Sequence, residues 1–159
     1  LLVTRIPLAL QSPVEISLAL FGVGLAISLN GVLSSPDTHP VTLVADAIGL
    51  AAFTTTGVLV ATQAGVSAFG IVAIGTINAV GGGAFADILL DRSPFILFED
   101  FYATCSVLGA TTYWLLWTAG GAKGTAVMMG AVVTVGARLV AVTYDWDLPT
   151  AQNLGPRRD

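Results

Sequence analysis

Three stretches of the chain carry no charged side chain: residues 16–36, 47–86 and 101–122. A helix of about 20 apolar residues spans a bilayer, and the middle stretch is long enough for two. Of the 159 residues, 55% are hydrophobic and 10% charged, where ordinary soluble domains carry about 25% charged residues. Mean hydropathy is +0.85. These values exclude a soluble enzyme, a nucleic-acid binder and a disordered chain, and point to an all-α membrane protein. A net charge of −4 and a pI near 4.6 argue against an anionic-lipid or nucleic-acid surface. Cys105 stands alone, so there is no disulfide scaffold, and it reads as a helix-packing residue. No residue set reads as catalytic, cofactor-binding or metal-ligating, and no enzymatic activity is expected.

Five transmembrane helices are expected, over residues 14–33, 41–61, 66–87, 101–118 and 124–143. The connectors hold the breakers. Pro36 and Pro40 flank a polar loop containing His39, which reads as solvated. Gln63-Ala64-Gly65, Asp91-Arg92-Ser93-Pro94 and Ala119-Gly120-Gly121-Ala122-Lys123 read as turns. The polar tail over 147–159 reads as solvated. A β-barrel would need short segments of alternating polarity, whereas these runs are long and apolar all round. An odd span count places the two ends of the chain on opposite faces. Phe101, Tyr102, Tyr144 and Trp146 fit interfacial anchors, and Arg92, Arg157 and Arg158 outnumber Arg5 and Lys123. By the positive-inside rule that imbalance leans toward a cytoplasmic C-terminal tail.

Offsetting the chain by 87 residues brings Arg5 onto Arg92, Pro7 onto Pro94, Gly22 onto Gly109 and Leu29 onto Leu116. Residues 88–118 would end a unit of three helices. Residues 1–33 would end an earlier unit whose first two helices lie outside this sequence, so the chain reads as a fragment. Units with an odd number of spans face opposite ways, giving the inverted repeat that many transport proteins use. The expected organisation is 1–33 as the end of the first repeat, 34–122 as the second repeat, 123–146 as a final helix and 147–159 as a tail.

The 18 glycines are expected mainly to let helix backbones approach closely in lipid. The triplet Gly81, Gly82 and Gly83 differs. Each glycine in mid-helix costs about 1 kcal/mol relative to alanine, and ordinary packing does not call for three in a row. A bend or an unwound turn lining a cavity is expected there, with carbonyls available to a cation. Three charges fall within the spans: Asp46, Asp87 and Arg138. Each costs about 3 kcal/mol at mid-bilayer, so each needs a partner or water. Counting depths along alternating helices places all three toward one face. The arrangement expected is an Asp–Arg pair, either as a structural tie or as part of a network with surplus negative charge. Thr55, within Thr54-Thr55-Thr56, and Asn78 either line a polar path or bond to nearby helix carbonyls.

The run Asn78-Ala79-Val80-Gly81-Gly82-Gly83, followed by Asp87-Ile88-Leu89-Leu90, resembles the prokaryotic TRIC family of trimeric intracellular cation channels, also described as a bacterial glycine-transporter domain. Asp46-Ala47-Ile48-Gly49-Leu50-Ala51-Ala52-Phe53 with Gly57, Pro94 with Tyr102-Ala103-Thr104, and Ala137-Arg138-Leu139-Val140-Ala141 ending in Trp146-Asp147-Leu148-Pro149 resemble it too. Ala86 stands where the family pattern has arginine. The resemblance implies a seven-helix inverted-repeat fold of three, three and one helices, of which this chain would supply the third to the seventh. It also implies a homotrimer, a pore within each protomer between glycine-broken helices, and a multi-pass place in a prokaryotic cell membrane. The partners so implied are the lipid bilayer and monovalent cations, potassium before sodium. The ion-pathway residues would be Asn78, Gly81, Gly82, Gly83, Asp87, Asp46, Arg138 and Thr55. A secondary transporter of a small zwitterion such as glycine is the competing reading, and a membrane structural or assembly protein is a third.

Overall fold

The computed structural model describes residues 13–30, 40–89, 91 and 100–144, and within them all but ten side chains, Asp87 among those ten. Expectations that rest on Arg5, His39, Arg92, Trp146 or the tail lie outside the described residues. The described chain is helical, with α1 Pro13–Asn30, α2 Pro40–Gln63, α3 Ala68–Leu89, α4 Asp100–Thr118 and α5 Lys123–Thr143. Each expected segment is a helix, with bounds shifted by at most three residues. Two compact units form, Leu1–Thr42 and Leu43–Asp159.

The first unit contains α1. Pro13 opens it, and a proline's fixed φ suits a helix's first turn. Its large apolar side chains Val14, Ile16, Leu20, Phe21, Val23 and Leu25 are 44% to 70% exposed. Ser17 and Ser28 donate their hydroxyls to the carbonyls of Pro13 and Gly24, one turn back. An apolar helix whose hydroxyls are satisfied internally is suited to hydrocarbon.

The second unit is built from two tight helical hairpins. Gly65 has φ +67° and Gly120 φ +84°, a region that glycine enters without a Cβ penalty. At the first turn Gly65 N–H donates to Thr62 O and Val66 N–H to Ala61 O. At the second, Gly120 N–H donates to Trp117 O and Gly121 N–H to Leu116 O. Both turns therefore close the last carbonyls of the preceding helix by the Schellman pattern. Ser67 then accepts the Gly70 N–H at the start of α3, an N-cap interaction.

Among the described residues, three helical stretches are long and apolar enough to cross a membrane: Pro40–Gln63, Ala68–Phe85 and Lys123–Thr143. The expected spans in α1 and over 101–118 are helices that fall outside that set. α4 carries hydroxyl side chains along its length, and it packs against both α3 and α5. A helix enclosed by its neighbours needs less apolar surface than one facing lipid on most sides. The core lies in two apolar clusters. One gathers Leu50, Ala79, Val80, Tyr102, Cys105 and Ala141. The other gathers Val58, Ala61, Ile71, Ala110, Tyr113 and Ala126. Cys105 is fully buried in the first, in keeping with a packing role.

Candidate functional site

Helices α2, α4 and α5 each bring one polar side chain to a common point. Arg138 Nε donates to Asp46 Oδ2 at 3.2 Å. The Tyr102 hydroxyl donates to Asp46 Oδ1 at 3.0 Å. The Arg138 guanidinium carbon also lies 4.6 Å from the centre of the Tyr102 ring, within the range of a cation–π contact. The Asp46 side chain is 36% exposed and that of Arg138 11%. The expected pairing of Arg138 with an acid is thus present. Asp87 lies at the end of α3, and its side chain is outside those described.

Tyr102 is not an interfacial anchor. It is buried, because its hydroxyl is held by Asp46 and its ring covers Arg138. Tyr144, by contrast, is well exposed. Depth counting in the sequence located the charged pair but missed the tyrosine. A signal was available in the pattern of α4, where Tyr102, Ser106 and Tyr113 are spaced by four and seven residues. That spacing places them along one helix face.

The same three residues bond to α2 along its length. Thr54 Oγ1 and Ser106 Oγ lie 2.8 Å apart, both fully buried. Tyr113 donates to Thr62 Oγ1 at 3.1 Å. Asp46, Thr54 and Thr62 recur every eight residues of α2, with buried Leu50 and Val58 between them. Polar pairs therefore alternate with apolar plugs along the seam. The other expected lining groups are also engaged. Thr55 Oγ1 donates to Ala51 O and Ala52 O. Asn78 Nδ2 donates across to Phe53 O at 2.8 Å, tying α3 to α2.

A bend or an unwound turn is the expectation at the glycine triplet. α3 is α-helical without interruption from Ala68 to Leu89, through Gly81, Gly82 and Gly83. An unwound turn there is not present. A backbone group left unsatisfied in hydrocarbon costs several kcal/mol, which outweighs about 1 kcal/mol of helix propensity per glycine. The helix therefore keeps its own hydrogen bonds. A Cβ added at Gly81 or Gly82 would meet nothing within 4 Å, so no close contact within the described chain accounts for these two glycines either. Among the described residues, no group of three or more His, Cys, Asp or Glu side chains is placed to hold a metal ion.

Residues 43–118 match the family model described as "Glycine transporter". The UPF0126 inner membrane protein YadS of Escherichia coli K12 is 40% identical over 111 residues, 67% of this chain and 52% of its own length. The UPF0126 membrane protein YvgT of Bacillus subtilis is 33% identical over 104 residues, 65% of this chain and 50% of its own. The chain thus spans about half the length of these curated relatives. Among solved structures, the TRIC trimeric intracellular cation channel orthologue from Rhodobacter sphaeroides superposes with a TM-score of 0.79. That match has 26% identity and covers 89% of this chain and 73% of the other. A structure solved to explain conductance through TRIC cation channels superposes with a TM-score of 0.72 at 32% identity, covering 87% of this chain and 66% of that one.

Proposed function

Since residues 43–118 match the glycine-transporter family model and the chain shares its fold with TRIC cation channels, we propose that it is part of a monovalent-cation channel in a bacterial inner membrane. The permeant ion is potassium before sodium, the assembly a homotrimer with a path in each protomer, and the C-terminal tail cytoplasmic. The observation that carries this reading is the fold match over 89% of the chain to a TRIC channel orthologue. Two features of the molecule support it. The Asp46 carboxylate is partly exposed while its cationic partner is nearly hidden. The open side of α3 at Gly81 and Gly82 leaves room for water or ions beside the backbone.

The test is single-channel recording of the native polypeptide that carries this chain, in planar bilayers with potassium on one side and sodium on the other. Unitary currents with a reversal potential favouring potassium are expected, and the absence of any unitary current would overturn the channel. Replacing Gly81, Gly82 and Gly83 together with alanine should lower that current while membrane insertion is kept. Unchanged conductance would remove the triplet from the path. The family description favours a second reading, transport of glycine. Saturable uptake of labelled glycine into proteoliposomes, coupled to an ion gradient and without unitary current, would select it.

A further inference from the structure

We propose that α2 and α4 are locked in a single register and move as one body, the lock being a one-way set of hydroxyl bonds. The direction follows from counting hydrogens. Thr54 Oγ1 lies 2.7 Å from Leu50 O and 2.8 Å from Ser106 Oγ, and a threonine has one hydrogen to give. Given to Ser106, it would leave the buried Ser106 hydrogen without an acceptor among the described residues. Given to Leu50 O, it lets Ser106 donate, and both hydrogens are used. The same order holds near the Gly65 turn, where Tyr113 donates to Thr62 Oγ1 and Thr62 donates to Val58 O at 2.6 Å. Tyr102 donates to the Asp46 carboxylate, which has no hydrogen to return. At all three points α4 gives and α2 receives, and each threonine passes the bond to its own backbone one turn back.

This polarity makes α4 intolerant of sliding. One turn from its acceptors, α2 presents Leu50, 1% exposed, and Val58, 0% exposed. A shift of one turn, about 5.4 Å, sets two of the three donors against Leu50 or Val58 in either direction. A serine can turn its hydroxyl back to a carbonyl of its own helix. A tyrosine hydroxyl, at the end of a rigid ring, has no such escape, and a buried donor left unpaired is costly. The acceptors recur every eight residues, so the next register in which two donors meet acceptors is about 12 Å away. A one-turn ratchet of the kind by which packed helices switch is therefore closed to this pair. Rearrangement falls to the other helices.

Two measurements on the native polypeptide that carries this chain test the direction and the lock, and neither depends on the channel reading. The first is unfolding in detergent. Tyr113→Phe should shift the unfolding equilibrium about threefold, since Thr62 keeps its bond to Val58 O. Thr62→Val should shift it about tenfold, because it strands the Tyr113 donor. The two together should return it to about threefold, as no donor remains to strand. Equal effects of the two single variants, or a double variant worse than Thr62→Val, would overturn the one-way bond. The second is dipolar spectroscopy in bilayers, with spin labels at Ile48 and Leu115, exposed residues toward opposite ends of α2 and α4. All other cysteines are replaced by alanine, and the labelled protein is diluted with unlabelled protein. One distance is expected, the same in choline chloride, potassium chloride or glycine. A second population displaced by about 5 Å, one helical turn, would overturn the lock. Thr62→Val should add such a population, and a distribution that it leaves unchanged would overturn the hydroxyl seam as its cause. If Thr62→Val does not fold, the distances in the unsubstituted protein decide.

Discussion

Glycines at two places in the second unit do different work. At the crossings of the helices they are contact points. A Cβ on Gly57 would lie 2.8 Å from Gly75 Cα and 2.9 Å from Asn78 Cβ. One on Gly109 would overlap Thr134 Oγ1 and lie 2.7 Å from Gly130 O. Helix association in lipid rests on such close approach, since apolar side chains gain little by leaving one hydrocarbon for another. A Cβ on Gly81 or Gly82, about two turns along α3 from Gly75, would meet no atom of the described residues within 4 Å. The contact glycines secure the fold of the chain itself. Gly81 and Gly82 lower the helix propensity of α3 with no close contact among the described residues to offset it.

Substitutions can break this contrast, and all are read by unfolding in detergent. Gly109→Ala should be the most damaging, at about 3 kcal/mol, because the new methyl meets a backbone carbonyl that cannot give way. Gly57→Ala should cost about 2 kcal/mol, with the α2–α3 crossing forced apart. Gly82→Ala should have the opposite sign and stabilise by up to about 1 kcal/mol through helix propensity. A loss at Gly82 would reveal a packing partner and end the distinction. Thr54→Val should cost least, about 0.6 kcal/mol, the usual size of an interhelical hydrogen bond in a membrane protein. A larger loss there would make the hydroxyl seam, rather than the glycine crossings, the main tie between α2 and α4.

The helices were legible because uncharged runs longer than a bilayer is thick leave few alternatives. The hairpin turns were legible because Gly65 and Gly120 sit where a chain must reverse within a few residues. That Arg138 meets at least one of Asp46 and Asp87 followed from depth, as charges in hydrocarbon must find one another, and the structure shows Asp46 paired with it. Tyr102 was hidden because an aromatic near a helix end fits an interfacial belt as well as a buried cluster, and only packing distinguishes the two. The intact helix at the triplet was illegible for a related reason. Sequence reports the propensity cost of glycine but not the larger cost of breaking backbone hydrogen bonds where no water can replace them. Which glycines touch was likewise unreadable, since Gly57 and Gly82 look alike until a second helix is placed.

The tight turn at Gly120 also bears on how the protein is made. Taken by itself, α4 is not among the helices long and apolar enough to cross a membrane, while α5, beyond a four-residue turn, is. The insertion machinery meets α4 first, with its tyrosines, threonines and serine not yet covered by α5. Stable entry of α4 should therefore wait until α5 has emerged, so that the two partition as one hairpin. A nascent chain halted after Thr118 should leave α4 accessible to a glycosylation reporter or protease, and one extended through Thr143 should protect both.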